Sequence, residues 1–271
     1  VILDIDWTIV RVIMAKDLTA VKRSKAVMLP MLIVPTLLLV VLPLVVGLLA
    51  AHAATAGIEG FLSNMPSGLA KPLSKLPERE QLIVLINGYL LAPLFLIVPL
   101  MVSAVLAADA FAGEKERKTL EGLLHLPVRD HDLFVAKLAT AFVPAVAVSW
   151  IGFGAFCIVS NAVAWPVMHR LFMPTRLWIV MIFWVAPAVA GLGLGVMVRV
   201  SARARTAQEA NQLGGAVIFP LIFMAMGQAA GLLLVDLPVA VAIGAALWVI
   251  ALSLTVRGAQ RFTRDRLAAM A

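Results

Sequence analysis

Charge is scarce in this sequence. Asp, Glu, Lys and Arg make up 14% of its 271 residues, where a soluble domain carries roughly 25%. The single cysteine, Cys157, excludes an intrachain disulfide, and inside an apolar run it reads as a small buried hydrophobe. Four histidines, His52, His125, His131 and His169, are scattered without the HExxH spacing of a helix-borne zinc site, so no metal is expected. The chain has no G-x-x-x-x-G-K-[ST] phosphate loop and cannot hydrolyse ATP by that route. The net charge of +7 is not gathered into a basic patch interleaved with aromatics. Nucleic acid is therefore not an expected partner, and anionic lipid headgroups are the expected counter-charge.

What is abundant is hydrocarbon: 62% of the residues are hydrophobic. No soluble fold could bury that much apolar surface and keep a water-compatible exterior. A bilayer core about 30 Å thick needs roughly 20 apolar residues in helical form. Six stretches satisfy this, at about 26–51, 82–108, 133–164, 177–198, 214–235 and 238–256, the last two separated by a tight turn at Asp236–Pro238. None contains an acidic residue; Lys137, near the start of the third, is counted with the loop before it. The expected fold is all-α, a polytopic membrane protein with six transmembrane helices.

Lys and Arg placement sets the orientation. Six spans put both termini on one side, and that side holds 17 of the 22 basic residues against 5 on the other. Both termini are expected in the cytoplasm of a cell (plasma or inner) membrane. A signal-peptide reading, with Ala51-His52-Ala53 as the cleavage site, fails on length, since the first apolar run far exceeds the roughly 7–15 residues of such a segment. Three regions result: an interfacial segment at 1–25, a transmembrane domain at 26–256 with a loop at about 109–132, and a tail at 257–271. The segment after the first span, to about residue 81, reads as an external loop. Prolines recur within the spans, where neighbouring helices can satisfy the carbonyls they free. Gly191, Gly193 and Gly195 and the pair Gly227 and Gly231 permit close helix contact.

Two hydrophilic segments carry a pattern. In "WTIVRVIMAKDLTAVKRSK", Val10, Met14, Leu18 and Val21 form one apolar stripe, as expected of an amphipathic helix lying in the membrane interface. In "EKERKTLEGLLHLPVRD", Leu120, Leu123 and Leu124 mark one edge of a short helix that Pro127 ends. Glu114–Lys118 and Arg117–Glu121 are i,i+4 pairs on its polar side, and Glu114 and Glu116 fall in its first turn. Asp130 and Asp132 can cap the next span. A rigid helix with an apolar edge suits docking on a soluble partner; a solvated loop needs neither feature. Polar residues within spans, notably Asn87, Tyr89 and Gln228, are candidates for a substrate path, although such groups more often bond helix to helix.

The stretch "GEKERKTLEGLLHLPVRDHDLFVAK" resembles the first cytoplasmic loop of type-2 ABC exporter permeases, through Glu114, Glu116, Thr119, Leu120, Glu121, Pro127, Val128 and Lys137. The family often has Gly before the Thr, where this chain has Lys118. "SARARTAQEANQLGGAVIFPLI" is similar to the family's second cytoplasmic loop, most like the sodium-efflux-type branch. The resemblance implies a membrane-spanning subunit paired with a second copy of itself or a related permease, above cytoplasmic ATPases that bind ATP and Mg. The loop bearing Glu114, Glu116, Arg117, Thr119, Leu120, Glu121, Leu124 and Pro127 would be the coupling helix. The chain itself would bind no cofactor. The alternative from another class is a secondary transporter or channel without an ATPase. A scarcity of ionisable groups at bilayer depth weighs against ion coupling.

Overall fold

The computed structural model describes residues 5–52, 73–117, 128–204, 206–229 and 236–260. Among them every regular element is helical. Helix α1 (Trp7–Arg23) starts where the Asp6 carboxylate accepts the Thr8 and Ile9 amides at 2.9 and 3.3 Å, and ends with Lys22 and Arg23 against the negative end of its dipole. Ser24 turns the chain into α2 (25–52). The remaining long helices are α3 (Glu78–Gly113), α4 (Asp130–Met168), α5 (Arg176–Ser201) and α8 (Leu237–Ala259). Two shorter ones, α6 (Ala207–Gly214) and α7 (Phe219–Ala229), lie between α5 and α8.

Among the described residues five helices are long and apolar enough to cross a membrane: α2 over Val27–Leu49, then α3, α4, α5 and α8. The fifth expected stretch is described as helix only to Ala229, and residues 230–235 lie outside the described residues. So do 53–72 of the expected external loop, Gly231 of the glycine pair, and 261–271 of the tail. Helix α8 is capped by Asp236, whose carboxylate accepts the Val239 amide at 3.1 Å, with Pro238 in its first turn.

The prolines act through helix geometry. Residues Leu37–Val41 of α2 form a π-turn lying between Pro35 and Pro43. In α3 a π-turn at Val84–Leu90 precedes Pro93, and in α5 one at Met181–Val185 precedes Pro187. A proline removes one amide from the hydrogen-bond ladder, and a π-turn shifts the ladder by one residue, so the two defects share one place. Carbonyls near the α3 π-turn are taken up from α5: the Trp178 indole N–H donates to Asn87 O and Gly88 O at 3.2 and 3.0 Å. Trp178 stacks on Phe156 at 4.5 Å between centroids and meets Phe95 edge-on at 5.4 Å.

Helices α3 and α5 form the centre, each with 67% of its apolar window buried, whereas α8 buries 17% and α4 22%. The outer helices therefore present most of their apolar surface outward, as a bilayer requires and water would not tolerate. Helix α5 approaches both neighbours closely at small residues. A side chain on Gly193 would meet Ser103 Oγ at 2.7 Å and Leu100 O at 3.0 Å; one on Gly195 would meet Leu254 Cβ at 2.8 Å. Trp184, Gly191, Gly195 and Val198 of α5 lie against Gly244, Ala251, Leu254 and Gly258 of α8 in turn, so these two helices run parallel. At the end away from α1 and the C-terminus of α8, Asn161 fastens the α4–α5 connection. Its Oδ1 accepts the Phe172 and Met173 amides at 3.0 and 3.1 Å, and its Nδ2 donates to Met173 O at 2.8 Å. Arg170 pairs with Glu80 at 2.7 Å at the same end.

Gly193→Leu has to displace backbone of α3 and should cost about 1–3 kcal/mol, read as a lower Tm in detergent. Gly154→Leu, at a position with nothing within 4 Å, should leave Tm unchanged.

Candidate functional site at the basic end of the bundle

The two loops rich in Lys and Arg, helix α1 and the C-terminal end of α8 gather at one end of the bundle, called here the basic end. Its centre is Lys137, 1% exposed although it is a lysine. The Lys137 ammonium pairs with the Glu114 carboxylate, donates to Ala110 O at 2.7 Å, and lies 5.7 Å from the centre of the Phe111 ring. Burying either charge alone would be costly, and the pair persists because each neutralises the other and further bonds fill the remaining positions. Helix α3 supplies both acceptors where it widens into a π-turn at Asp109–Gly113 and continues through Glu114–Glu116.

This geometry corrects two expectations. Glu114 and Glu116 extend the C-terminal end of α3 and do not open a separate helix, so the dipole there disfavours their charge. They need other partners, and Glu114 takes Lys137; Lys118, its expected partner, lies outside the described residues. Arg117 takes Asp109, at 2.9 Å; Glu121, its expected partner, lies outside the described residues. That bond holds the Arg117 pKa above its ordinary value, with smaller help from the charges of Asp109, Glu114 and Glu116 and some opposition from burial. Gly113 leaves room for the crossing: a Cβ there would sit 2.9 Å from Asp109 Oδ1 and 3.2 Å from the guanidinium. Asp132 and Asp130 do not cap α4. The Asp132 carboxylate instead accepts the Asp6 amide at 3.3 Å and the Arg129 guanidinium at 2.9 Å, tying the start of α1 to the start of α4.

Glu116 reaches furthest. Its carboxylate accepts the Ala207 amide at 3.1 Å, in the first turn of α6, beside the Thr206 hydroxyl that accepts from Glu209 at 3.0 Å. One acidic side chain thus links the first basic loop to the second, and it sits where a helix dipole favours it. Lys16 of α1 approaches Glu114 at 3.7 Å and Asp17 at 3.1 Å. Helix α1, the end of α3, the start of α4 and the start of α6 are therefore held in one polar assembly.

The face of α1 also differs from expectation. Val10 and Val21 are buried as expected, but Met14 and Leu18 are only half-buried; Ile13 and Asp17 take the inner positions instead. Val10 and Ile13 pack on Leu133 and Ala136 of α4. This face of the helix lies on protein rather than lipid. Sequence periodicity missed Ile13 because a spacing of three or four admits both stripes, and missed Asp17 because a carboxylate is not scored as a core residue.

Thr119, Leu120, Glu121, Leu124 and Pro127 of the expected coupling segment lie outside the described residues. Of the proposed substrate-path residues, Asn87 is fully buried beside Trp178, its side-chain atoms without a hydrogen-bond partner among the described residues. Tyr89 is half-buried, and the side chain of Gln228 lies outside the description. Asn87 and Tyr89 belong to the opposite half of α3 and are not brought to the basic end. Among the described residues no group of three or more His, Cys, Asp or Glu is placed to hold a metal. Lys137 was counted with the loop on sequence grounds; the structure buries it within α4. Its position four residues after Leu133, on the side of α4 facing α3, was the available signal.

The family model described as ABC-2 family transporter protein matches residues 78–207, just under half of the chain. The matched region runs from the start of α3 to the residue whose amide Glu116 accepts, and so contains α3, α4, α5 and both basic loops. The match supports the membrane-spanning permease part of an ABC transporter. No curated protein matches the chain.

Glu114→Gln leaves the buried Lys137 charge without its carboxylate and should destabilise by about 3–5 kcal/mol, seen as a large drop in Tm in detergent, whereas Lys137→Met leaves Glu114 with Lys16 at 3.7 Å and should cost less. The double variant Glu114→Gln/Lys137→Met should recover most of that loss. Additive losses would show that the two side chains do not depend on each other.

Proposed function

We propose that this chain is the membrane-spanning subunit of an ATP-driven exporter, and that the polar assembly at its basic end couples the spans to a separate cytoplasmic ATPase. The observation that carries this reading is the pair of bonds from the last turn of α3: Glu114 to Lys137 and Glu116 to Ala207. A push on either basic loop is delivered through them to α3, and from α3 through close packing to α5. The ABC-2 match covers the same elements.

In this reading the basic end faces the cytoplasm, as the excess of Lys and Arg there requires. A sixth crossing between α5 and α8, to which α7 belongs, is part of this reading, and the parallel course of α5 and α8 supports it. Both termini then face the cytoplasm. Helix α1 acts as a strut on α4, and its exposed Trp7 and Val12 meet the membrane interface. The loop from Arg117 to Pro127 is the coupling segment, with the leucine edge at Leu120 and Leu124 seated on the ATPase. ATP and Mg are bound by that partner. A second copy of this chain or a related permease completes the path, and a sodium-efflux role is one specific form of the proposal. Ion coupling without an ATPase gains nothing from Lys137, because its charge is fully committed to Glu114 and Ala110.

Purification from native membranes in mild detergent should bring down a soluble protein with a phosphate-loop motif. The variant Leu120→Asp/Leu124→Asp should insert normally and lose that protein. Recovery of an active chain that is always alone would remove the ATPase from the account.

A further inference from the structure

A cavity of about 700 Å³ opens at the basic end, between the start of α2, the inner half of α3, the end of α5 and the α6 region. It falls within the roughly 300–1,000 Å³ range of small-molecule sites. One wall is hydrocarbon, from Val27 and Pro30 of α2, Leu100, Ala104 and Val105 of α3, and Met197 of α5. The opposite rim is polar and acidic, with Asp109 and Glu116 on one side and Gln208, Asn211 and Gln212 of α6 on the other. No basic residue is among the described lining residues, although this end of the bundle holds most of the lysines and arginines of the chain. Arg23 and Lys25 flank the lining residue Ser24, but both are exposed.

Neither carboxylate is saturated by its protein partner. Asp109 gives one oxygen to Arg117, and Glu116 gives one oxygen to the Ala207 amide; an ionised carboxylate has about four acceptor positions. Arg117 offsets one of the two charges, which leaves the rim with one net negative charge. An apolar body and one positive charge would satisfy both halves of the cavity, while an anion would meet an uncompensated carboxylate.

We infer that this cavity is an entry site for amphipathic monocations, taken up at the cytoplasmic surface within one subunit before they reach the path between subunits. The meaning of the site as an entry point rests on the proposed transport function; occupancy by a cation does not. Glu116 belongs both to this rim and to the contact with α6, so a bound cation bears directly on the link between the two basic loops.

The test is equilibrium binding to the full chain in a neutral maltoside detergent, with tetraphenylphosphonium and tetraphenylborate, two ions of like shape and opposite charge. Tetraphenylphosphonium should bind saturably to one site per chain and tetraphenylborate should not. Ala104→Trp, which fills the cavity, should abolish the saturable component. Should that variant fail to give a monodisperse protein, Gln212→Trp fills the cavity from an exposed position on α6. Glu116→Gln keeps an acceptor for the Ala207 amide, removes one charge, and should weaken binding about threefold to fivefold. Competition by phosphatidylethanolamine would identify a lipid ammonium headgroup as the natural cation, and its absence a soluble one. Equal binding of the two ions, or binding untouched by both tryptophan variants, overturns the inference. Cation binding by a chain that never associates with an ATPase would refute the coupling proposal and leave this site standing; an ATPase complex without cation binding would do the reverse.

Discussion

A lysine and a glutamate buried against each other set the form of this molecule's basic end. Lys137 enters α4 at a depth where an ammonium is tolerated only with a partner, and α3 has to present one there. That requirement fixes the register of α3 against α4. It also explains why α3 carries a π-turn at Asp109–Gly113 and continues past it. Replacing such a pair by well-packed hydrocarbon is often neutral for stability. Its value here is positional: it holds the end of α3 at one height and leaves Glu116 aimed at α6.

The rest of the bundle can then be understood as support for α3 and α5. These two helices make the centre, and small residues on α5 let α3 approach from one side and α8 from the other. Prolines near π-turns soften α2, α3 and α5 at defined places, while Trp178 takes the carbonyls of one such turn. The half of the bundle away from the basic end is fastened differently, by Asn161 on its own connection and by Arg170 on Glu80. A stiff link at one end and adjustable turns within the helices are what a force-transmitting membrane domain needs, because packed elements move as units rather than deforming continuously.

Much of this was legible from residues alone. Apolar runs of sufficient length gave the spanning helices, since hydrocarbon thickness leaves few alternatives. The acidic and basic cluster at Glu114–Arg117 was visible as an anomaly among greasy neighbours. Its internal wiring was not. Helix-surface spacing looks only four residues ahead, to Lys118 and Glu121, which lie outside the described residues; it could not reach Lys137, 23 residues from Glu114, or Asp109, eight residues before Arg117. Ile13 and Asp17 escaped for a related reason. A short amphipathic helix admits two overlapping stripes, and the choice is made by α4, which periodicity does not contain. The apolar stretch at 214–235 was clear in hydropathy, and within its described part α7 packs beside α3.

The central claim is that one end of the molecule, where α1 and both charged loops meet, is the face that receives force from inside the cell. Cysteine accessibility tests it most directly. In a Cys157→Ala background, single cysteines at Lys118 and Arg203 should react with a membrane-impermeant maleimide only after the cells are permeabilised. A cysteine at Ser74 should react in intact cells. Labelling of Lys118→Cys or Arg203→Cys from outside intact cells would place the charged loops on the wrong side of the membrane and contradict the account.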